Sequence, residues 1–219
     1  MSSKKIKICH VTSAHKNNDV RIFQKECCSL AKKETYEVFL IAPGESYNSN
    51  GVQVIGVGDI ASNRFNRMGR GAKKVYCEAL ALDADIYHFH DPELLPYAKK
   101  IKKLGKMVIF DSHEDVPEQI KEKEYIPILL RGGVSFIYKI YQAHILKKLD
   151  AIISVTPHIC KKLQEVNPNT FMVTNYPILR EEIFEPSNFD KGKIVFAGGV
   201  TEQWSHRYII EAISELPEI

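Results

Sequence analysis

No two of the five cysteines, Cys9, Cys27, Cys28, Cys77 and Cys160, are spaced as Cys-x-x-Cys; their number is odd and two are adjacent. A disulfide framework has no pattern to build on, and reduced, mostly buried thiols of a cytosolic protein are expected. No apolar run is long and clean enough to cross a bilayer. The nearest, Ile126 to Leu149, is broken by Arg131, Lys139 and His144. Net charge is scarce: +3 over 219 residues leaves no footprint for nucleic acid, which is not expected as a partner. The fingerprint G-x-G-x-x-G is missing, so a dinucleotide site is unsupported. Internal repeats and low-complexity tracts are also missing. Met-Ser-Ser-Lys-Lys leads directly into an apolar run, and no signal peptide is expected there. What remains, at 44% hydrophobic and 26% charged, is an ordinary globular composition with length for one domain or one and a part.

Short apolar runs alternate with helical patterns. Strands are predicted over Ile6–Val11, Tyr36–Ala42, Val52–Val57, Ile86–His90, Met107–Phe110, Ala151–Val155, Phe171–Thr174 and Ile194–Ala197. Helical faces follow at Val20 to Ala31, Arg64 to Leu82, Leu94 to Ile101, Ile159 to Val166 and Tyr208 to Leu216. Ile126 to Leu149 reads as a long helix with Gly132-Gly133 as a candidate break, and as a buried core helix rather than one lying on a membrane. Asp91-Pro92 and Thr156-Pro157 are cap-plus-proline helix starts. Strand-helix alternation throughout implies an α/β fold with a doubly wound parallel sheet. The best linker lies near Pro186 to Lys193. Residues 1–185 are therefore expected as one domain, and 186–219 as the linker and first β-α unit of an incomplete second.

The stretch from Asp85 to Asp115 carries the densest chemistry, because two buried-looking strands each end in histidine and carboxylate. Such ends suit a site outside the carboxyl edge of a parallel sheet. His88 and His90, two apart on a strand, share a face, and with Asp91 they form a spacing that can hold zinc, with Asp111, His113 and Glu114 as further ligands. The plainer reading packs one histidine in the core and points the other into a cleft. In Asp111-Ser-His-Glu-Asp115 a carboxylate beside His113 suits base work or hydrogen bonds to sugar hydroxyls; alternatively Asp111 and Glu114 cap the next segment. The turn Ser13 to Asp19 precedes a helix N-terminus that could face a phosphate, with Asp19 as a plain cap and Arg21 as a solvated first-turn residue in the simpler account. Gly198-Gly199 is a second such turn. Arg64, Arg67, Arg70, Lys73 and Lys74 read as a solvated helix face, or as a contact for anionic lipid headgroups or a phosphorylated acceptor.

These motifs together resemble the N-terminal half of GT-B glycosyltransferases of the family-4 type. The resemblance is carried by Val11-Thr-Ser-Ala-His15, Asp19-Val-Arg21-Ile-Phe and Lys25-Glu26. His88-Phe-His90-Asp91-Pro-Glu-Leu-Leu95, Val108 to Asp115, Ser154-Val-Thr156-Pro157 and Asn175-Tyr176-Pro177 extend it over nearly the whole chain. It implies two Rossmann-like domains about a cleft and transfer from a nucleotide-sugar donor with retention of configuration. It also implies a glycan or lipid-linked acceptor in cell-surface polysaccharide biosynthesis, and neither metal nor other cofactor. It places His113 near the transferred sugar with Glu114 and Asp111 as its catalytic companions. His15, Asp19, Arg21, His88, His90 and Asp91 fall along the acceptor side of the cleft. Ser13 and Ala14, where relatives often carry Gly-Gly, and Gly198 and Gly199 fall on the donor-phosphate side. The family's basic donor-binding pair and late E-x7-E belong to a region past Ile219, so the chain is expected to be a truncated enzyme, inactive alone. A cytoplasmic location, peripheral to the inner membrane face at most, goes with this reading. The competing expectations are a metal-dependent hydrolase using His88, His90, Asp91 and His113, and a non-catalytic module of a glycan-handling complex.

Overall fold

The computed structural model describes residues 4–60, 67–178, 195–196, 198 and 205–216, with Arg67 described by its backbone alone. The chain forms two compact units, Met1–Ile178 and Leu179–Ile219.

The first unit is built on eight strands: β1 (Ile6–Val11), β2 (Tyr36–Ala42), β3 (Tyr47–Ser49), β4 (Val52–Gly56), β5 (Ile86–Phe89), β6 (Met107–Ser112), β7 (Ala151–Ser154) and β8 (Thr170–Met172). Their order is β3-β4-β2-β1-β5-β6-β7-β8. Each pairing is parallel except that of β3 with β4. The expected α/β, Rossmann-like doubly wound sheet is the fold. The edge strand β3 escaped the sequence reading, although its turn did not: Asn50 (φ 51°) and Gly51 (φ 76°) supply the two positive φ angles a tight hairpin requires.

Helix α1 begins as a π-helix, Val20–Cys27, and continues as α-helix, Cys28–Ala31. Asp19 caps it, accepting from the N–H groups of Arg21 and Ile22. Helix α2 joins Arg67–Gly71 to Ala72–Leu82, and α3 joins the turn Pro92–Leu94 to Leu95–Lys103, where Gly105 at φ 81° ends it. Next come α4 (Val116–Glu122), α5 (Ile128–Leu146) and α6 (Pro157–Gln164), the last capped by the Thr156 hydroxyl. Of the segment expected as helix from Arg64, residues 64–66 lie outside the described residues.

The two sheet faces are covered unequally. Cys9, Val11, Tyr87, Phe89, Val108, Phe110 and Ile152 pack with apolar residues of α2, α3, α5 and α6. On the opposite face Val38, Leu40, Val52 and Val54 pack against Ile22, Phe23 and Cys27 of α1. Alternation along the strands therefore directs His10, His88, His90 and Asp111 toward α1. Full burial of an apolar side chain at such positions would contribute about 1.5–3 kcal/mol each. Four titratable side chains there are not selected for core packing.

Helix α5 departs from expectation. It runs unbroken through Gly132-Gly133, but its buried residues are Ser135, Gln142, Ile145 and Leu146. Leu129 is 94% exposed, and Leu130, Phe136, Ile137 and Ile140 are exposed too. The buried-core reading is thus corrected: only the C-terminal end reaches the core. The segment is apolar all round, so its sequence carries no stripe to say which face is covered. Among the described residues no helix is long and apolar enough to cross a membrane. In the second unit, α7 spans His206–Ser214. Val195 and Phe196 stand in no regular element, and Ile194, Ala197 and Gly199 lie outside the described residues.

Candidate functional site

The sheet order reverses at β1, whose neighbours are β2 and β5. Such a switch point opens a crevice at the carboxyl ends of the strands, and the polar ends of β1, β5 and β6 meet there. The loop after β1 is shaped by Asp91. Its Oδ2 accepts from the Thr12 hydroxyl at 2.8 Å, the Ser13 N–H at 2.6 Å and the Ala14 N–H at 3.2 Å. Asp91 thus turns its carboxylate back to β1 and makes no cap bond to the helix it precedes, contrary to its sequence reading. The Ser13 and Ala14 amides, expected to face a donor phosphate, point at this carboxylate. Its other oxygen lies 3.5 Å from His15 Nε2, while His15 Nδ1 lies 3.5 Å from Asp19. The His15 ring meets His113 edge-on, with centroids 5.5 Å apart.

Beneath this rim lies a buried polar network. Arg21, expected as a solvated residue, is buried and forks onto Asp111: Nε donates to Oδ2 at 2.8 Å and Nη2 to Oδ1 at 3.1 Å. Its Nη1 also donates to the Val173 carbonyl, and Lys25 reaches Asn175 and the Tyr176 carbonyl, which fastens α1 to the chain beyond β8. Glu26 sits 3.2 Å from Arg21 Nε. The i→i+5 period of the π-helix brings Arg21 and Glu26 to one side, which α-helical spacing would not do. His10 Nδ1 and His90 Nε2 are 3.0 Å apart, sharing a proton, and His90 Nδ1 lies 3.5 Å from Asp111. His88 stands beside His10 in the β1–β5 register. Both His88 and His90 are buried on the α1 side, so the reading that sends one of them into an open cleft is corrected.

This setting polarises the titrations. Burial, joined by the neighbouring imidazoles, holds His10 well below the usual histidine range and His88 at about 3. Burial pushes Glu26 up to about 7. Burial opposes ionisation of Asp111 too, but His90 and Arg21 outweigh it and hold its carboxyl well below the usual range. His90 is raised: burial lowers it, and contact with Asp111 and the charge of Glu26 outweigh that. Burial lowers His113, whose Nδ1 lies 4.0 Å from Asp111 Oδ1.

The site gathers most of the residues read from sequence. His15, Asp91 and His113 form its rim, with Asp19 and Ser13 beside them, and exposed Glu114 follows His113. Asp111, Arg21, His88 and His90 lie under the rim. Asp115, not Asp111 or Glu114, caps α4. The proposed hydrolase set of His88, His90, Asp91 and His113 does not assemble. Among the described residues the cluster with metal-binding proximity is His10, Glu26, His88 and His90. His10 and Glu26 were missed as site residues. Gly198 is exposed in a bend of the second unit, and Gly199 lies outside the described residues.

A narrow recess lined by His90, Asp111, His113, Glu114 and Gln142 adjoins an open groove of about 1030 Å³ between α4, α5 and α6. That groove pairs apolar Leu146, Ile159 and Val166 with Lys139 and Lys162.

The fold is similar to that of sucrose-phosphate synthase from Thermosynechococcus elongatus, with a TM-score of 0.55 and 10% identity over 78% of this chain and 48% of that one. A shorter structure of the same synthase gives 0.51 at 10% identity, covering 78% of this chain and 89% of that one. UDP-N-acetylglucosamine 2-epimerase from Rickettsia bellii gives 0.47 at 16% identity, covering 77% and 44%. The chain spans about half the length of the full synthase. No curated protein sequence matches it. The Glycosyltransferase Family 4 model matches residues 16–174, from the turn holding Asp19 through the end of the sheet, and encloses α1, the β5 and β6 ends and His113. With that match over more than half its length, the chain belongs to glycosyltransferase family 4.

Proposed function

We propose that this chain is the acceptor-side half of a retaining glycosyltransferase that takes a hexosyl group from a nucleotide-sugar donor and passes it to a glycan or lipid-linked acceptor. The observation that carries the reading is the meeting of His15, Asp91 and His113 at the switch point of a family-4 chain. Burial keeps His113 neutral near pH 7, so its imidazole can donate to or accept from a sugar hydroxyl without bringing net charge to the reacting centre. Asp111, locked by Arg21 and 0% exposed, does not touch substrate and acts as a positioning residue beneath His113. Glu114, exposed beside His113, is placed to accept from an acceptor hydroxyl. The departing diphosphate is stabilised by basic groups of a second domain, and transfer uses no metal in this reading.

The groove beside His113 fits an amphiphilic acceptor, apolar along its floor and cationic at Lys139 and Lys162. The exposed apolar residues of α5, flanked by Arg131 and Lys139, support peripheral contact with an anionic membrane surface and a place in cell-surface polysaccharide assembly on its cytoplasmic side. In the basic run, Lys74 donates to the Val57 carbonyl, Arg70 and Lys73 are exposed, and the Arg64 and Arg67 side chains lie outside the described residues.

The test uses protein carrying a complete donor domain. A saturating nucleoside diphosphate at about a hundred times its Kd adds roughly 2.7 kcal/mol of stability, so UDP or GDP should raise the melting temperature. If neither does, and no nucleotide sugar turns over, the proposal fails and a non-catalytic binding module becomes the better account.

A further inference from the structure

We infer that His10, Glu26, His88 and His90 form a closed site for one divalent transition-metal ion of the zinc type, clamping α1 to the sheet under the switch point. One donor atom from each of the four lies within 4.8 Å of the other three. The individual separations are tighter. His10 Nδ1 and His90 Nε2 are 3.0 Å apart. Glu26 Oε2 lies 3.7 Å from His10 Nδ1, 3.9 Å from His88 Nδ1 and 3.9 Å from His90 Nε2. Zinc bonds of 2.0–2.1 Å in a tetrahedron place donors about 3.3 Å apart, so side-chain shifts of a few tenths of an ångström suffice. Three imidazoles with one carboxylate is a donor set of the intermediate softness that zinc, cobalt and nickel share.

A metal-free core cluster would have its polar atoms paired. Here both Glu26 oxygens, His10 Nε2 and His88 Nε2 are buried without a hydrogen bond, and leaving such groups unmet is costly. Arg21 forks onto Asp111, so Glu26 is the carboxylate short of a full partner. Outside the four donors, Asp111 stands 3.5 Å from His90 Nδ1, the place a carboxylate takes when it orients a metal-bound imidazole. The His10 and His90 side chains have no exposure, and His88 and Glu26 keep 6% and 12%. With four protein ligands and almost no solvent access, the site is structural in type. It is independent of the sugar-transfer reading and supplies no step to it.

The test is metal content and cobalt spectroscopy on the chain after removal of any affinity tag. The expected result is about one ion per chain, loss of stability on chelation, and recovery with Zn²⁺ alone. Co²⁺ should give the intense visible bands of a tetrahedral complex. Glu26→Gln should weaken Zn²⁺ binding by at least about tenfold, the scale on which metal sites respond to altered support, and His88→Asn should abolish stoichiometric binding. If both variants fail to fold, the wild-type Co²⁺ titration decides alone. Substoichiometric metal with no stability change on adding Zn²⁺ or Co²⁺ overturns the inference. So does binding that survives unchanged in both folded variants, which would place the ion elsewhere.

Discussion

Arg21→Met removes the cation that holds Asp111. The pair is bidentate at 2.8 and 3.1 Å, and Asp111 is fully buried. Taking away one partner of a buried pair typically costs about 3–5 kcal/mol, because the other charge stays buried and uncompensated. Glu26 can relieve its own share of the loss by taking a proton, since burial already pushes it up to about 7. Asp111 has no such escape near neutral pH. For a unit of this size 1 kcal/mol moves the melting temperature by about 2–4 °C, so the variant should melt roughly 6–20 °C lower. Urea denaturation near pH 7 measures the free energy directly. The sign with pH is also fixed. A carboxyl held below its unfolded pKa contributes stability above that pKa, about 3.9, and loses it as pH falls below. The penalty of Arg21→Met should therefore shrink in acid. The double variant Arg21→Met with Asp111→Leu should recover most of the loss, because apolar groups of similar shape replace both charges. A single variant within about 0.5 kcal/mol of wild type would refute the central role given to this pair.

Asp91→Asn weakens three bonds that order the loop after β1. It should cost about 1.5–3 kcal/mol and speed amide exchange at Ser13 and Ala14, and unchanged exchange there would contradict the assignment. Because burial lowers His113, its ring stays neutral down to a pH below the ordinary 6.5, so the acid limb of transfer activity should fall below that value; a limb above it contradicts a neutral His113. Leu129→Glu with Phe136→Glu removes two exposed apolar anchors from α5. At about 1.5–3 kcal/mol each, flotation with anionic vesicles should weaken by more than about tenfold, and unaltered flotation would remove α5 from membrane contact.

The frame of the fold is legible because it rests on local pattern. The runs Ile6–Val11 and Tyr36–Ala42 are strands with the bounds their apolar residues suggest. β6 continues past its apolar run because Asp111 and Ser112 still pair with Ile153 and Ser154 of β7, and pairing of this kind leaves no local mark. His88, His90 and His113 stand out because they interrupt or end apolar runs. His10 lies inside one and becomes chemically meaningful only through its register with His88. Glu26 is harder still. At α-helical spacing it falls off the Arg21 side, and only the π-helical turn brings the two together. The exposure of α5 is illegible for the opposite reason: an all-round apolar segment says it can be buried, not whether it is.

The most direct measurement of the central claim is acceptor-dependent turnover of a panel of nucleotide sugars by protein carrying the complete donor domain, with the product anomer read by NMR. The account predicts a product that keeps the donor's anomeric configuration. It also predicts a His113→Ala variant, folded as wild type, that turns over at least about tenfold more slowly, roughly 1.4 kcal/mol of transition-state stabilisation. An inverted product, or a folded His113→Ala variant with unchanged kinetics, would contradict it.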